Sequence, residues 1–284
     1  MNEEGERELS TVIQFKAEKG MNIMKNRILT VVCAAALSAG ALAGVALAKQ
    51  TYTPGTCVSN SPHNINNVVT NGDEYGRVCA YCHTPHHAIV SGAIAEYNPL
   101  WSHQVNEETY TPYASRTFDG GSVDNMQSDP LVGPSRLCMS CHDGVIAVSQ
   151  HYGTAPAAGN GSAAVGDNWN EISVGDLAFG EGLTNDHPIG FDYDAVASTD
   201  KGNGTLGSGI KAANTQFSVT LAGTGVNYAG THDRKISDLM YNNGSKNIMT
   251  CASCHDVHNN ENPEDYLLIN KQAGSQICLT CHKK

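Results

Sequence analysis

Four short runs with the same residue pattern constrain this chain more than any other feature. Each run reads Cys-x-x-Cys-His, and the runs begin at Cys79, Cys138, Cys251 and Cys278. Two cysteines three residues apart on a helical turn point the same way, and the histidine that follows lies on the same face. Two thiols and an imidazole in this order are the attachment signature of a c-type haem. The sequence therefore predicts four covalently attached haems c, each with its iron.

The predicted attachment residues are the paired cysteines, and the predicted proximal iron ligands are the histidines that end the runs. The cysteines are Cys79, Cys82, Cys138, Cys141, Cys251, Cys254, Cys278 and Cys281, and the histidines are His83, His142, His255 and His282. Zinc sites, disulfides and thioredoxin-like redox pairs are the alternatives, but none of them requires a histidine directly after every pair. Ser135 and Ser275 each precede a run by three residues, where they are predicted to cap its short helix.

Each iron also needs a sixth ligand, and the chain has histidines to spare. Of the 12 histidines, four are proximal, which leaves eight. This excess predicts bis-histidine ligation, which favours lower reduction potentials than methionine ligation. The distal candidates are His63, His86, His103, His187 and His258. Five candidates for four irons leave one histidine for a structural role or for the haem of another molecule.

Two of these candidates share a position relative to a run. His86 and His258 each follow a proximal histidine by three residues. If the helical turn continues, such a side chain points away from its own haem toward a neighbouring one, although Pro85 weakens this reading for His86. The remaining histidines lie in polar or glycine-rich settings that favour surface or hydrogen-bonding roles. They are His87, His151 and His232.

The N-terminal region has the pattern of a secretory signal. Lys25 and Arg27 precede an apolar run over 28–47, and Ala46-Leu47-Ala48 supplies a cleavage site. We interpret 1–48 as a signal peptide, with 1–20 as an over-long start, and 49–284 as the mature tetrahaem domain. A membrane anchor is the alternative for the apolar run. The mature chain is expected to be exported and to have no stable membrane span.

Composition narrows the fold and the function classes. The formal net charge of −11 argues against a nucleic-acid binder, which needs clustered cations. Only 6% of the residues are aromatic, so the haems are expected to supply much of the apolar mass. The predicted class is a multihaem cytochrome c, mostly coil with short helices around four covalent haems, few regular elements and a small β-rich insert. That insert is the glycine-rich segment 152–230, in which 216–221 alternates like a strand and 226–228 is its expected hairpin partner.

A set of motifs taken together resembles a known family. The motifs are Cys-x-x-Cys-His-Thr-Pro-His at 79–86, Pro-Leu-Trp-Ser-His at 99–103, Cys-x-x-Cys-His-Asp-Gly at 138–144, His-Pro-Ile-Gly-Phe at 187–191, Cys-x-x-Cys-His-Asp-Val-His at 251–258 and the final run at 278–282. In this set and order the chain is similar to tetrahaem cytochromes of the OmcE type, from bacteria that reduce metals outside the cell. The resemblance covers 63–284.

The resemblance implies a particular assembly. Members of that type polymerise into extracellular filaments with a continuous chain of haems, and one histidine reaches into a neighbouring subunit. By resemblance, His63 is the expected donor. The implied partners are further copies of the chain, redox cytochromes and extracellular metal oxides.

The expected function is electron transfer without catalysis, as a filament at the cell surface. A soluble periplasmic electron shuttle is the first alternative, because it needs the same haems but closes all ligation within one chain. A multihaem reductase is the second alternative. It requires an open iron flanked by acid-base and cationic groups, and the surplus of histidines argues against an open iron.

Overall fold

The computed structural model describes the greater part of the chain that follows the predicted signal peptide. The described residues are 54–69, 72–115, 118, 129–143, 146, 148, 150–151, 183–184, 186–202, 204–221, 230–260, 262–264 and 266–283. The predicted signal peptide, most of the insert and the expected partner strand 226–228 lie outside these ranges. Among the described residues, no helix has the length and apolar character needed to cross a membrane.

Regular secondary structure is sparse and short in the described ranges, as the predicted class requires. The α-helices are α1 (Pro134–His142), α2 (Tyr193–Thr199) and α3 (Gln276–Cys281). The strands are β1 (Gln216–Leu221), β2 (Gly230–Lys235), β3 (Tyr241–Asn242) and β4 (Asn247–Ile248). Single 3-10 turns cover Val58–Asn60, Ile65–Asn67, Val78–Tyr81, Gly92–Ile94, Ile236–Leu239, Cys251–Ser253 and Ala273–Ser275.

The strand predicted over 216–221 is present with the same bounds. It pairs antiparallel along its whole length with β2, from Gln216 opposite Lys235 to Leu221 opposite Gly230. Val219 and Leu221 are buried on its inner face, as the alternating pattern predicts. In the described residues the hairpin partner is β2, and the expected segment 226–228 lies outside them.

Helix α2 also lies in the insert, where the sequence pattern predicts only strands. Asp192 precedes it, and the Asp192 carboxylate accepts a hydrogen bond from the backbone N–H of Ala195 at 3.4 Å. An aspartate at this position satisfies one of the free N–H groups of a helix start. Tyr193 and Val196 are buried on the inner face of α2. The helix is thus held by its cap and by burial of one face.

Hydrophobic side chains form several small clusters in the described residues, and motif cysteines lie at the edges of three of them. The largest cluster includes Phe191, Ile236 and Met249, and Cys254 and Cys281 pack against it. Two further clusters both touch Cys82. Apolar packing is therefore concentrated where the sequence predicts haem attachment.

The segment that carries His187 passes very close to a second chain segment. Gly190 has φ +75°, and its N–H donates to the Met249 carbonyl at 2.8 Å. A Cβ atom at Gly190 would lie 2.4 Å from the Pro130 Cα atom. Only glycine combines this backbone conformation with so close an approach.

A buried carboxylate holds the chain that leads into the first run. Asp73, whose side chain is 2% exposed, accepts hydrogen bonds from the Arg77 guanidinium. Its Oδ1 atom lies 3.3 Å from Nε2 of His151, and the His151 ring packs on Tyr81 with centroids 4.4 Å apart. His151 therefore has the hydrogen-bonding role expected of it. The Arg77 hydrogen bond holds the pKa of Asp73 well below its usual range.

This low pKa predicts an acid-sensitive contribution to stability. Because the pKa of folded Asp73 is lower than the unfolded value of about 3.9, its contribution is complete above about pH 4 and is lost as the pH falls further. We expect Asp73→Asn to lower the free energy of unfolding by about 1 kcal/mol at pH 7. Denaturant unfolding of the haem-loaded protein at pH 7 and pH 3 measures this free energy. The difference in the free energy of unfolding between Asp73→Asn and the wild type should shrink at pH 3. Glu74→Gln, which changes the neighbouring carboxylate, is the control. An equal difference at both pH values would contradict the assignment.

Candidate haem-binding sites

The four runs adopt the turn that haem attachment requires. The first and third runs are 3-10 turns, whereas the second and fourth lie in α1 and α3. In the first run, the N–H of His83 donates to the Cys79 carbonyl at 2.8 Å. The same bond joins His255 to Cys251 and His282 to Cys278. Each histidine therefore follows its cysteines on one turn, as the spacing predicts. All eight cysteines of the runs are free thiols.

The two serines expected to cap these turns do not do so. Pro134 opens α1 and Gly133 is its N-terminal cap, so Ser135 lies inside the helix. The Ser135 hydroxyl instead accepts a hydrogen bond from the backbone N–H of Cys251 at 3.0 Å. Ser275 does precede α3, but its side chain makes no capping bond. The Ser135 prediction is wrong because that side chain joins the second run to the third.

Three of the four proximal histidine rings face a distal candidate across a gap of nearly constant width. The ring centroids are 6.2 Å apart for His83 and His258, 6.1 Å for His142 and His63, and 6.3 Å for His282 and His187. The ring planes of the first pair are 12° apart, and those of the other two are 71° and 76° apart.

This gap fits one metal ion between two imidazoles. A bond from a histidine nitrogen to a metal is about 2 Å long. A ring nitrogen lies about 1.15 Å from the ring centroid, given ring bonds of about 1.35 Å. Two imidazoles on opposite sides of one ion therefore have centroids about 6.3 Å apart, which agrees with all three pairs. With the adjacent cysteines, the residues present fit a haem c whose iron has two histidine ligands.

Backbone carbonyls orient several of these rings. A histidine that binds a metal usually donates its second ring N–H to such an acceptor, which fixes the ring and raises its basicity. The Nδ1 atom of His83 lies 2.7 Å from the Pro99 carbonyl oxygen, and that of His255 lies 2.8 Å from the Tyr266 carbonyl oxygen. Nδ1 of His187 is 3.0 Å from the oxygen of the adjacent Pro188.

The His63–His142 pair has a different environment. Nδ1 of each ring is buried without a hydrogen-bond partner in the described structure. Burial lowers the pKa of His63 to about 4 and also lowers the pKa of His142. Both rings are therefore neutral at pH 7, and neutral imidazole is the form that binds metals. The His63 ring thus faces His142 of its own chain, whereas the resemblance implies a donor to a neighbouring subunit.

Among the described residues, the other two distal candidates do not face a proximal histidine ring. His103 is completely buried, with its Nδ1 atom 2.9 Å from the Gln104 carbonyl oxygen. His86 is exposed. No described histidine ring faces His255 at the spacing of the other pairs, and His255 itself is exposed. In the part of the chain that the structure describes, one of the four candidate sites thus has only its proximal histidine.

A short antiparallel segment lies beside the proximal histidine of the first and third runs. We name residues 99–102 the first strap and residues 266–269 the second strap. Both proximal histidines form an isolated antiparallel bridge with their strap, His83 with Trp101 and His255 with Leu268. Each strap makes the same two backbone bonds. They are Thr84 N–H to Leu100 O and Ser102 N–H to Cys82 O in the first, and Asp256 N–H to Leu267 O and Ile269 N–H to Cys254 O in the second.

Cysteines of successive runs share the same surroundings. Cys82 and Cys141 pack against one hydrophobic cluster, and Cys254 and Cys281 pack against another. Burial raises the pKa of Cys82 and that of Cys254 to about 12. A hydrogen bond with Cys138 lowers the pKa of Cys251 to about 7. The first run therefore packs with the second, the helix of the second contacts the turn of the third, and the third packs with the fourth.

Comparison with known proteins agrees with this chemistry. The doubled CXXCH motif family matches residues 244–284, which contain the third and fourth runs. A search of curated proteins finds none that matches the chain. The motifs indicate covalently bound haem c and electron transfer by haem, the general chemistry of c-type cytochromes. Proteins of that class are typically exported from the cytoplasm.

Proposed function

We propose that this chain transfers electrons through four haems c, one attached to each Cys-x-x-Cys-His run. The observation that carries the proposal is the common ring spacing of 6.1–6.3 Å in three histidine pairs, each with a proximal histidine. A bound haem supplies one-electron oxidation and reduction of its iron. The two cysteines of a run would hold the haem by thioether bonds, and the paired imidazoles would bind its iron.

The ligand assignments follow from the pairs. His258 is the distal ligand of the first site, His63 of the second and His187 of the fourth. The third site has His255 as its proximal ligand and receives its distal ligand from outside this chain. His103 has a structural role, supported by its complete burial and its contact with the carbonyl of Gln104.

The packing of the runs supports conduction along the chain. Haems attached to runs that share a hydrophobic cluster or a hydrogen bond would lie close to one another. Electrons can then move from site to site without leaving the protein. No residue is assigned a catalytic role, because three of the four irons have both axial positions filled by histidine.

We place this activity outside the cytoplasm, in a polymer of identical chains at the cell surface. The export signal and the sequence resemblance support this location and this assembly. The exposed His255, which no histidine ring in the described part of its own chain faces, supports a distal ligand from a second copy. Other cytochromes and extracellular metal oxides are the proposed electron donors and acceptors.

Intact mass and spectroscopy test the haem chemistry. The mature protein should have the mass of the chain plus four haems. In the assembled protein, electron paramagnetic resonance should show four low-spin ferric irons, and carbon monoxide should leave the reduced spectrum unchanged. Carbon monoxide binding by an assembled protein would instead indicate an open iron and a reductase.

Electron microscopy tests the assembly. Cells that express the protein are sheared, and the released surface fraction is imaged. Filaments in which haems are in contact across every subunit boundary are expected. Monodisperse particles with the mass of one mature chain and four haems would contradict the filament and favour a soluble periplasmic shuttle.

A further inference from the structure

The described part of the mature chain consists of two halves that repeat the same arrangement. We name residues 54–143 the first half and 183–283 the second half. In both, an early histidine faces the proximal histidine of the last run, His63 with His142 and His187 with His282. Both halves also contain a strap beside the proximal histidine of their earlier run.

The packing of the motif cysteines repeats as well. Cys82 of the first run and Cys141 of the second pack against one hydrophobic cluster, and Cys254 of the third and Cys281 of the fourth pack against another. In each case the cysteines that share a cluster are the second cysteines of their runs. The repeat is therefore one of contacts and is independent of the lengths of the connecting segments.

Three contacts join the first half to the second. The His258 ring faces His83, so the second half supplies a ring to the first site. The helix that carries Cys138 contacts the turn that begins at Cys251, and the Ser135 hydroxyl accepts the Cys251 N–H at 3.0 Å. Together these contacts form the junction between the halves.

Every member of this junction has a counterpart in the other half at the same position of the pattern. His86 follows His83 by three residues as His258 follows His255, and Ser275 precedes Cys278 by three as Ser135 precedes Cys138. The counterparts of the junction residues are His86 for His258, His255 for His83, Cys278 for Cys138, Cys79 for Cys251 and Ser275 for Ser135.

These counterparts are accessible for contact with another molecule. Cys79 and Cys278 are exposed, whereas Cys138 and Cys251 are partly buried in the junction. His86 and His255 are exposed as well. The residues that would form a second junction are therefore exposed on the surface of the protein.

We propose that a second copy of the chain docks through a repeat of the junction. His86 of one copy faces His255 of the preceding copy and becomes the distal ligand of its third site. Cys79 meets Cys278, and the Ser275 hydroxyl accepts the Cys79 N–H. This contact rests on the proposed function, and it joins two different surfaces head to tail, so it does not close on itself unless the rotation forms a ring.

The chemistry of the contact suits a second copy of the same chain. The contact would consist of a directional bond from imidazole to iron, packing of motif cysteines and one hydrogen bond. Because the same contacts already form once between the two halves of one chain, a second copy presents all the complementary groups. The inference names His86 as the histidine that crosses between copies, in place of His63.

Removal of the His86 imidazole tests this contact. Purified His86→Ala should retain four haems by intact mass but remain as single chains in sedimentation and electron microscopy. One of its four irons should become high-spin in electron paramagnetic resonance. Added free imidazole should return that iron to low-spin without restoring filaments. His87→Asn is the matched control, because it removes the adjacent imidazole and should leave both assembly and spin state unchanged.

A mixing experiment makes the test directional. A His86→Ala copy can receive a ligand at His255 but cannot donate one, so it ends growth at one side. Filaments formed in mixtures with the wild type should shorten as the variant fraction rises.

The outcomes separate the two proposals. Wild-type filaments together with His86→Ala filaments that have four low-spin irons would overturn this contact and leave the filament intact. A wild type that remains monodisperse would overturn both.

Discussion

His63→Ala is expected to convert the iron of the second site from low-spin to high-spin and to leave the other sites unchanged. The centroid of the His63 ring lies 6.1 Å from that of His142, and the Nδ1 atoms of both rings are buried. Alanine removes the ligand and leaves a cavity at the iron. One quarter of the total iron signal in electron paramagnetic resonance should therefore change. Carbon monoxide should also bind to one iron per reduced chain.

A control variant separates loss of the ligand from general damage. His232 lies on the β-hairpin, where it is opposite Val219, and His232→Ala should leave all four irons low-spin. Intact mass should show four haems in both variants, because the cysteines are unchanged. If His63→Ala retained four low-spin irons, the assignment of His63 to the second site would be wrong.

We expect Gly190→Ala to cause a large loss of stability, greater than that of Gly76→Ala. A residue with a side chain at φ +75° costs about 1–2 kcal/mol. The new Cβ atom would also lie 2.4 Å from the Pro130 Cα atom, and such overpacking costs about 1–3 kcal/mol more. The backbone must therefore move, and His187 lies only three residues away. Denaturant unfolding should show a loss of about 2–5 kcal/mol together with a changed spectrum at the fourth site.

Gly76→Ala is the matched control for backbone strain alone. Gly76 has φ +65°, but a Cβ atom there would meet no atom within 4 Å. We expect its cost to be limited to the conformational term of about 1–2 kcal/mol. Equal losses in the two variants would mean that the close approach to Pro130 has no energetic consequence.

The local chemistry of this chain could be predicted from the sequence because it depends on short spacings. The Cys-x-x-Cys-His turns and strand β1 are encoded within a few residues. The residues next to His258 and His187 in the sequence predict that both are distal ligands. In the structure both rings face a proximal histidine. Such features require no knowledge of which distant segments meet.

The partners of the selected histidines could not be predicted, since they depend on long-range packing. His63 faces a run that begins 75 positions later in the chain, as the numbers of His63 and Cys138 show. The role of Ser135 was missed for the same reason, because its hydroxyl contacts Cys251 in the other half. Helix α2 had a local signal in Asp192, but a seven-residue helix is too short for a periodic pattern.

The repeat of the two halves was also hidden in the sequence. The runs start at unequal intervals because the β-hairpin lies between His187 and Cys251, whereas no comparable element separates His63 from Cys79. A search for a fixed period therefore finds none. The shared contacts of the straps and motif cysteines appear only when the chain is folded.

The straps have a consequence for how fast electrons can move. Leu100 and Leu267, one in each strap, have left-handed φ values of 61° and 55°, a conformation that leucine adopts only when its surroundings hold it there. The strap carbonyls that contact the His83 and His255 rings are therefore fixed in place, and so are the rings. A ligand that barely moves when its iron gains or loses charge contributes little to the reorganisation energy. The strained leucines thus favour rapid exchange at these two sites.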